Sequence, residues 1–280
     1  MLFFVRIIIC FGIIMLLCPA AGRCANPSGA GIVLSACAES DINNLLAALN
    51  AQGADFTNRV KTIAAAYVGA PYTPHPLTDE EKDWFPYRLL DCTMFVLFVT
   101  AFANSSSVQE AREHMRLMHY RNGTVGFNHR YHFTEDRITD PANRYFTVIT
   151  ERCVCDTGCL RSVSLTLNKK AKEGYLFGER LGTWTKTVTL SYIPRCGFSK
   201  SLLCNVPEVC GIAFVKKTNW DKGLIVGHEG LLINGDLYHA SPQKGVCVVK
   251  QYFDREFCTS RWDGCIIFSL NQVPLPDHRP

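Results

Sequence analysis

The amino-acid sequence predicts an α+β fold in which a mainly antiparallel sheet packs against one buried helix. The helix is predicted from Asp91, a good N-cap residue, followed by the apolar run from Cys92 to Thr100. The sheet is predicted from two apolar segments separated by Asn234-Gly235, a dipeptide typical of two-residue β-hairpin turns. Further strand-like segments in the C-terminal half complete this α+β arrangement.

Two more helices are predicted before the buried one, and another after it. Apolar residues recur at helical spacing over 41–52 and 58–68. Ser107 and Glu110 form a capping box that opens a later helix. Residues 120–150 show no clear periodicity and are predicted to be irregular. Strands are predicted at 187–193, 211–216, 224–233, 236–241, 246–249 and 264–270.

The predicted hairpin places two histidines side by side. A two-residue turn at Asn234-Gly235 pairs Gly230 with His239 across the two strands. Because side chains alternate between the faces of a strand, His228 and His239 share one face as diagonal neighbours. Such positions lie about 7–8 Å apart at the backbone, within reach of two imidazoles.

Cys92 is the candidate nucleophile. In the first turn of a helix, unpaired backbone N–H groups and the helix dipole favour a thiolate. The alternative interpretation is a small buried hydrophobic residue. Together with His228 as base and His239 as its orienting group, Cys92 completes the arrangement used in cysteine acyl transfer.

The order of these motifs resembles that of the NlpC-type cell-wall hydrolases, a bacterial branch of the papain-like fold. Asp91-Cys92 opens the helix, His228 lies in a Gly-His-Glu-Gly strand, and His239 lies in Tyr-His-Ala-Ser. The segment ending at Tyr72 resembles the Gly-x-Pro-Tyr motif that precedes the nucleophile. The resemblance implies a papain-like fold with Cys92, His228 and His239 as catalytic residues, and Tyr72 and Asp91 in support.

Two more segments narrow the resemblance to an N-acetylmuramoyl-L-alanine amidase-like subfamily. They are His-Tyr-Arg-Asn-Gly, which contains Arg121, and Asn-His-Arg-Tyr-His-Phe, which contains Arg130 and His132. The resemblance implies hydrolysis of the amide between N-acetylmuramic acid and L-alanine, with these three residues as candidate substrate ligands. Met94 and Leu97 replace a threonine and a glutamate that are usual in the family. They leave open an endopeptidase that cuts within the stem peptide.

Composition favours one large globular domain without nucleic-acid binding. The chain has 280 residues, of which 48% are hydrophobic and 19% charged. Lys and Arg number 29 against 25 Asp and Glu, and no basic stripe with interleaved aromatic residues is present. We expect a muropeptide or peptidoglycan substrate and no cofactor.

The N-terminus has the three-part form of a secretory signal peptide. Arg6 precedes an apolar run, and small residues end it near Gly22, so residues 1–22 are predicted to be cleaved or, alternatively, retained as a membrane anchor. Residues 23–280 are predicted to form one domain with an N-terminal helical lobe at about 38–70. A periplasmic or secreted location is expected.

Cysteine is abundant, with 14 residues in the chain. In an oxidising compartment most of these residues are expected to form disulfides. Cys153, Cys155 and Cys159 also admit a zinc site, although their spacing differs from the usual Cys-x2-Cys pair. The cysteine-rich composition is also compatible with a third function. In this alternative, Cys92 is oxidised and the protein is a catalytically inert wall-binding or effector module.

Overall fold

A computed structural model describes residues 33–74, 84–170, 174–175, 181 and 184–276. The predicted signal segment, residues 1–22, lies outside these ranges. Within them the α-helices are α1 (Glu39–Ala51), α2 (Phe56–Tyr67), α3 (Cys92–Ala103), α4 (Val108–His119), α5 (Thr134–Thr139) and α6 (Tyr252–Arg255). The strands are β1 (Phe146–Val148), β2 (Arg161–Leu167), β3 (Lys186–Pro194), β4 (Val209–Val215), β5 (Val226–Ile233), β6 (Asp236–Ser241), β7 (Gly245–Val249) and β8 (Gly264–Leu270).

The described strands form one antiparallel sheet in the order β2-β3-β8-β4-β5-β6-β7, and β1 pairs with β8. This confirms the predicted α+β class and antiparallel sheet. The helices predicted at 41–52, 58–68, Cys92 and Ser107 all form, with their ends shifted by a few residues. The prediction that residues 120–150 are irregular is wrong in part, because this segment contains α5 and β1. Both are too short to produce a recognisable period.

The two faces of the sheet pack against different cores. On one face, α3 is buried from Met94 to Ala103 and packs with residues that include Leu231 and Ala240. On the opposite face, a second cluster contains Phe214 and Leu237. Neighbouring residues of one strand therefore belong to different cores, as the alternation of side chains requires.

A buried ionic cluster joins α3 and α5 to β5. Glu229 is 0% exposed, and its carboxylate forms an ion pair with Arg137 at 2.5 Å. The hydroxyls of Thr93 and Thr134 donate to the same carboxylate at 2.7 and 2.8 Å. These contacts fix the first turn of α3 against β5, the first strand of the hairpin.

The edge strand β7 is covered by the segment that leads to Tyr72. The backbone N–H of Gly69 donates to Val246 at 2.8 Å, and the N–H of Val246 donates to Ala70 at 2.8 Å. Gly245 permits this approach, because a Cβ there would lie 2.2 Å from the carbonyl oxygen of Ala70. No helix in the described ranges is long and apolar enough to cross a membrane.

The ionic cluster gives a stability prediction. Replacing Arg137 by Leu leaves the Glu229 carboxylate buried without its ion pair, so we expect the free energy of unfolding to fall by about 3–5 kcal/mol. Urea denaturation monitored by circular dichroism measures the change. Arg112→Leu is the control, since it breaks an exposed ion pair with Glu39 and should cost less than about 1 kcal/mol. Equal losses in the two variants would contradict a structural role for the cluster.

Candidate active site

The hairpin has the predicted register. Asn234 and Gly235 both have positive φ, 53° and 81°, as a two-residue type I′ turn requires. Ile233 pairs with Asp236, and Leu232 pairs with Leu237.

The two histidines are in direct contact. Nε2 of His228 lies 2.8 Å from Nδ1 of His239, and the rings meet edge to face with centroids 5.0 Å apart. This confirms that the two side chains share one face. The His228 ring also stacks on Trp262 at 5.6 Å and on Phe214 at 5.8 Å, which fixes its plane. Both imidazoles border a cavity of about 190 Å³ on this face of the sheet.

Both imidazoles are neutral at neutral pH. Burial, with the nearby His239 and Arg261, lowers the pKa of His228 to about 3. Burial, with Lys244, lowers the pKa of His239 to about 4. One nitrogen of each ring therefore carries a proton while the other has a free lone pair.

Cys92 is the first residue of α3, as predicted. The Asp91 carboxylate accepts a hydrogen bond from the backbone N–H of Met94 at 2.8 Å, which confirms the N-cap. The expected thiolate is not found. Burial and the carboxylates of Asp91 and Glu229 raise the pKa of Cys92 to about 12, so the residue is a neutral thiol. The helix dipole favours a thiolate, but burial and these two negative charges oppose it.

The Cys92 sulfur lies beside the peptide that joins His228 to Glu229. The backbone N–H of Glu229 faces the sulfur and lowers the thiol pKa, against the larger effect of burial. Along β5 this N–H points to the same side as that of Leu231, which pairs with β6. The pairing of β5 with β6 ends at Leu231, so the side of β5 next to Glu229 is open to the thiol.

Tyr72 and Asp91 belong to the surroundings of the thiol, as the resemblance implied. Burial, Cys92 and Asp91 together raise the pKa of the Tyr72 phenol. The backbone at Tyr72 also forms a parallel bridge to Leu90, next to the helix cap. The imidazoles, however, lie on the face of the sheet that carries Phe214 and Leu237, whereas α3 packs on the other face. Among the described residues, neither imidazole forms a hydrogen bond with the Cys92 thiol, and Cys92 does not line the cavity that both imidazoles border.

Arg121, Arg130 and His132 lie together in the segment after α4. Arg121 pairs with the buried carboxylate of Asp136 and lies over the Trp184 ring at 4.7 Å. Its Nη1 donates to the carbonyl of Arg130 at 3.4 Å. His132 Nε2 donates to the carbonyl of Phe127 at 2.7 Å, and burial lowers the pKa of this imidazole to about 4. The Arg121 guanidinium is thus engaged within the protein.

Glu229, Trp262 and Cys247 were not predicted as parts of this region. A charged residue within an apolar strand was the available signal for Glu229. Cys247 pairs directly with His239 across β6 and β7, a register that follows once β7 is placed beside β6. Trp262 is distant in sequence from both histidines, and no local sequence pattern predicts its contact with His228.

The cysteines of the described residues are all free thiols, which corrects the expectation that they are mostly disulfides. Three of them, Cys153, Cys210 and Cys265, are buried in one core cluster as free thiols. Within the described ranges no group of three or more His, Cys, Asp or Glu residues is arranged to hold a metal ion. The zinc alternative at Cys153, Cys155 and Cys159 therefore has no support here.

A family model described as AmiA-like, N-acetylmuramoyl-L-alanine amidase-like, matches residues 62–259. The chain belongs to this family. The match includes α3, which begins at Cys92, the β5–β6 hairpin with its two histidines, and the segment between them. No curated protein matches the sequence.

Two solved structures share the fold. A Legionella pneumophila protein of the DUF1460 family is 19% identical, with a TM-score of 0.66 over 84% of this chain and 94% of that chain. An N-acetylmuramoyl-L-alanine amidase from Bacteroides uniformis is 20% identical, with a TM-score of 0.61 over 77% of this chain and 99% of that chain.

The helix cap allows a direct test of the thiol environment. Asp91→Asn keeps the cap, because Asn caps a helix as well as Asp does, but it removes one negative charge beside the sulfur. We expect the pKa of Cys92 to fall, and each unit of the fall raises the thiolate fraction about tenfold below that pKa. The pH dependence of iodoacetamide labelling, with peptide mapping at Cys92, measures it. Asp55→Asn, at the cap of α2, should leave the labelling of Cys92 unchanged; a thiol pKa unaltered by Asp91→Asn would contradict the assigned cause.

Proposed function

We propose that this protein is a cysteine-dependent amidase that hydrolyses the bond between N-acetylmuramic acid and L-alanine in peptidoglycan fragments. Family membership supports the reaction class. The observation that carries the proposal is the position of the Cys92 sulfur beside the peptide of His228 and Glu229, with His228 bonded to His239. The proposed nucleophile thus lies beside the backbone of the strand that carries the proposed base, and the base already contacts its proposed orienting group.

In the proposed reaction, Cys92 attacks the amide carbonyl and His228 takes the thiol proton. Since His239 occupies Nε2 of His228, Nδ1 is the nitrogen left to act as base. The same nitrogen then protonates the leaving amine of L-alanine, and water hydrolyses the thioester. The backbone N–H of Cys92 and the Tyr72 phenol are the proposed donors to the oxyanion.

The electrostatics favour proton transfer during attack rather than before it. The thiol has a pKa of about 12 and the His228 imidazole a pKa of about 3, so the free site holds two neutral groups. A thiolate-imidazolium pair is therefore unfavourable before substrate binds. We propose that His228 removes the proton as the carbon-sulfur bond forms, which is general-base catalysis.

The arrangement also supports an NlpC-type, papain-like assignment, in which a nucleophile opens a helix and its base follows on a strand. Peptidoglycan lies outside the cytoplasmic membrane, so this substrate agrees with the predicted signal segment and a periplasmic or secreted location. These assignments belong to the proposal.

The departures at Met94 and Leu97 give no reason to prefer an endopeptidase. Their side chains are 1% and 0% exposed and pack in the core of α3, away from solvent. A residue in the core does not contact a muropeptide. The amidase is thus the better supported of the two activities.

A product assay tests the amidase directly. With purified disaccharide-peptide as substrate, we expect free stem peptide and a sugar without amino acids, identified by mass spectrometry. Cys92→Ala should lower turnover by about 10³-fold or more, because the nucleophile is lost. A sugar that still carries a dipeptide would indicate the endopeptidase instead. Full activity of Cys92→Ala, or labelling that shows Cys92 oxidised in the native protein, would contradict the proposal.

The orienting role of His239 gives a graded prediction. His228→Ala should abolish turnover, His239→Ala should lower kcat by about 10–100-fold, and His239→Gln should lower it less, since an amide still bonds to the imidazole. Tyr238→Phe is the control, because the Tyr238 side chain packs on the opposite face of β6. Steady-state kinetics measure all four variants. Near-native turnover of His228→Ala would remove His228 as the base.

A further inference from the structure

A third residue, Cys247, contacts the histidine pair through His239. Nε2 of His239 lies 3.5 Å from the sulfur of Cys247, within hydrogen-bond distance for a thiol. Cys247 pairs with His239 across β6 and β7, so the two side chains share a face. His228, His239 and Cys247 thus form a continuous chain of contacts in which both nitrogens of His239 are engaged.

Only two proton arrangements satisfy both contacts when the rings are neutral. In the first, the Cys247 thiol donates to His239 Nε2, and His239 Nδ1–H donates to His228 Nε2. The remaining proton of His228 then lies on Nδ1, where it blocks the base. In the second, His228 Nε2–H donates to His239 Nδ1, and His239 Nε2–H donates to the Cys247 sulfur. Nδ1 of His228 is then a free lone pair.

The charge state of Cys247 selects between these arrangements. Burial raises the pKa of its thiol, while Lys244 opposes this rise. A protonated thiol is a donor beside a nitrogen lone pair, and it favours the first arrangement. A thiolate has no proton to donate and imposes the second. The cavity beside the two imidazoles is also lined by Arg261, which acts on His228, and by Glu256.

We propose that Cys247 is a positioning residue that decides, through His239, which nitrogen of His228 carries the proton. While its thiol is protonated, the chain is held with a proton on Nδ1 of His228, and the base is available only after the protons shift along the chain. The effect of Cys247 on the tautomer of His228 does not depend on the proposed function, whereas its effect on turnover rests on that function.

The test replaces the thiol with a group that accepts hydrogen bonds without donating them. In Cys247→Asp the ionised carboxylate imposes the second arrangement, so ¹⁵N NMR of the imidazoles should show the His239 proton moving from Nδ1 to Nε2. We expect kcat/KM to rise by about tenfold, because the base is then free. Cys258→Asp places the same charge at an exposed cysteine and should change neither quantity.

Cys247→Ala provides a second test if Cys247→Asp does not fold. Cys247→Ala removes the thiol donor without adding a charge and should move the His239 proton in the same direction. Unchanged ¹⁵N signals of His239 in the folded variants would overturn the role of Cys247. If the signals shift while the native protein cleaves no muropeptide, the proposed function fails and the tautomer assignment stands.

Discussion

The candidate site depends on one buried carboxylate. Glu229 is held by Arg137 from α5 and by Thr93 from the first turn of α3, so a single side chain fixes two helices to the hairpin strand. Its own backbone N–H meets the Cys92 sulfur. Burying this charge is costly unless it is paired, and the ion pair and hydroxyls meet that requirement. The position of Cys92 relative to the β5 strand follows from these contacts.

The same carboxylate has an electrostatic effect on the site that it positions. It lies close enough to raise the pKa of the thiol, and Asp91, which caps the helix, acts in the same direction. The contacts that support the structure therefore also disfavour ionisation of the Cys92 thiol. A cysteine held as a neutral thiol is protected from indiscriminate oxidation, since the thiolate is the reactive form. In the proposed mechanism, reactivity then depends on a bound substrate and on His228 as the base.

Local patterns were sufficient for the elements that carry the site. Asp91 before an apolar run gave α3, and Asn234-Gly235 gave the register that brings His228 to His239. The charge state of Cys92 was not predictable, because it depends on Glu229, which lies far away in the sequence. The contacts of Arg121 likewise depend on Asp136 and on Trp184, which meet only in the folded chain. Long-range packing, rather than propensity, accounts for what the sequence did not reveal.

The cover over β7 has a consequence for solubility during folding. An unpaired edge strand is a template for pairing with other chains, and natural proteins protect such edges. Here the two residues before the Pro71-Tyr72 motif bond to Val246, so the segment that brings Tyr72 to the thiol also occupies that edge. Until this segment docks, the edge is open and the site is incomplete. Protection from aggregation and assembly of the site are therefore completed in the same step.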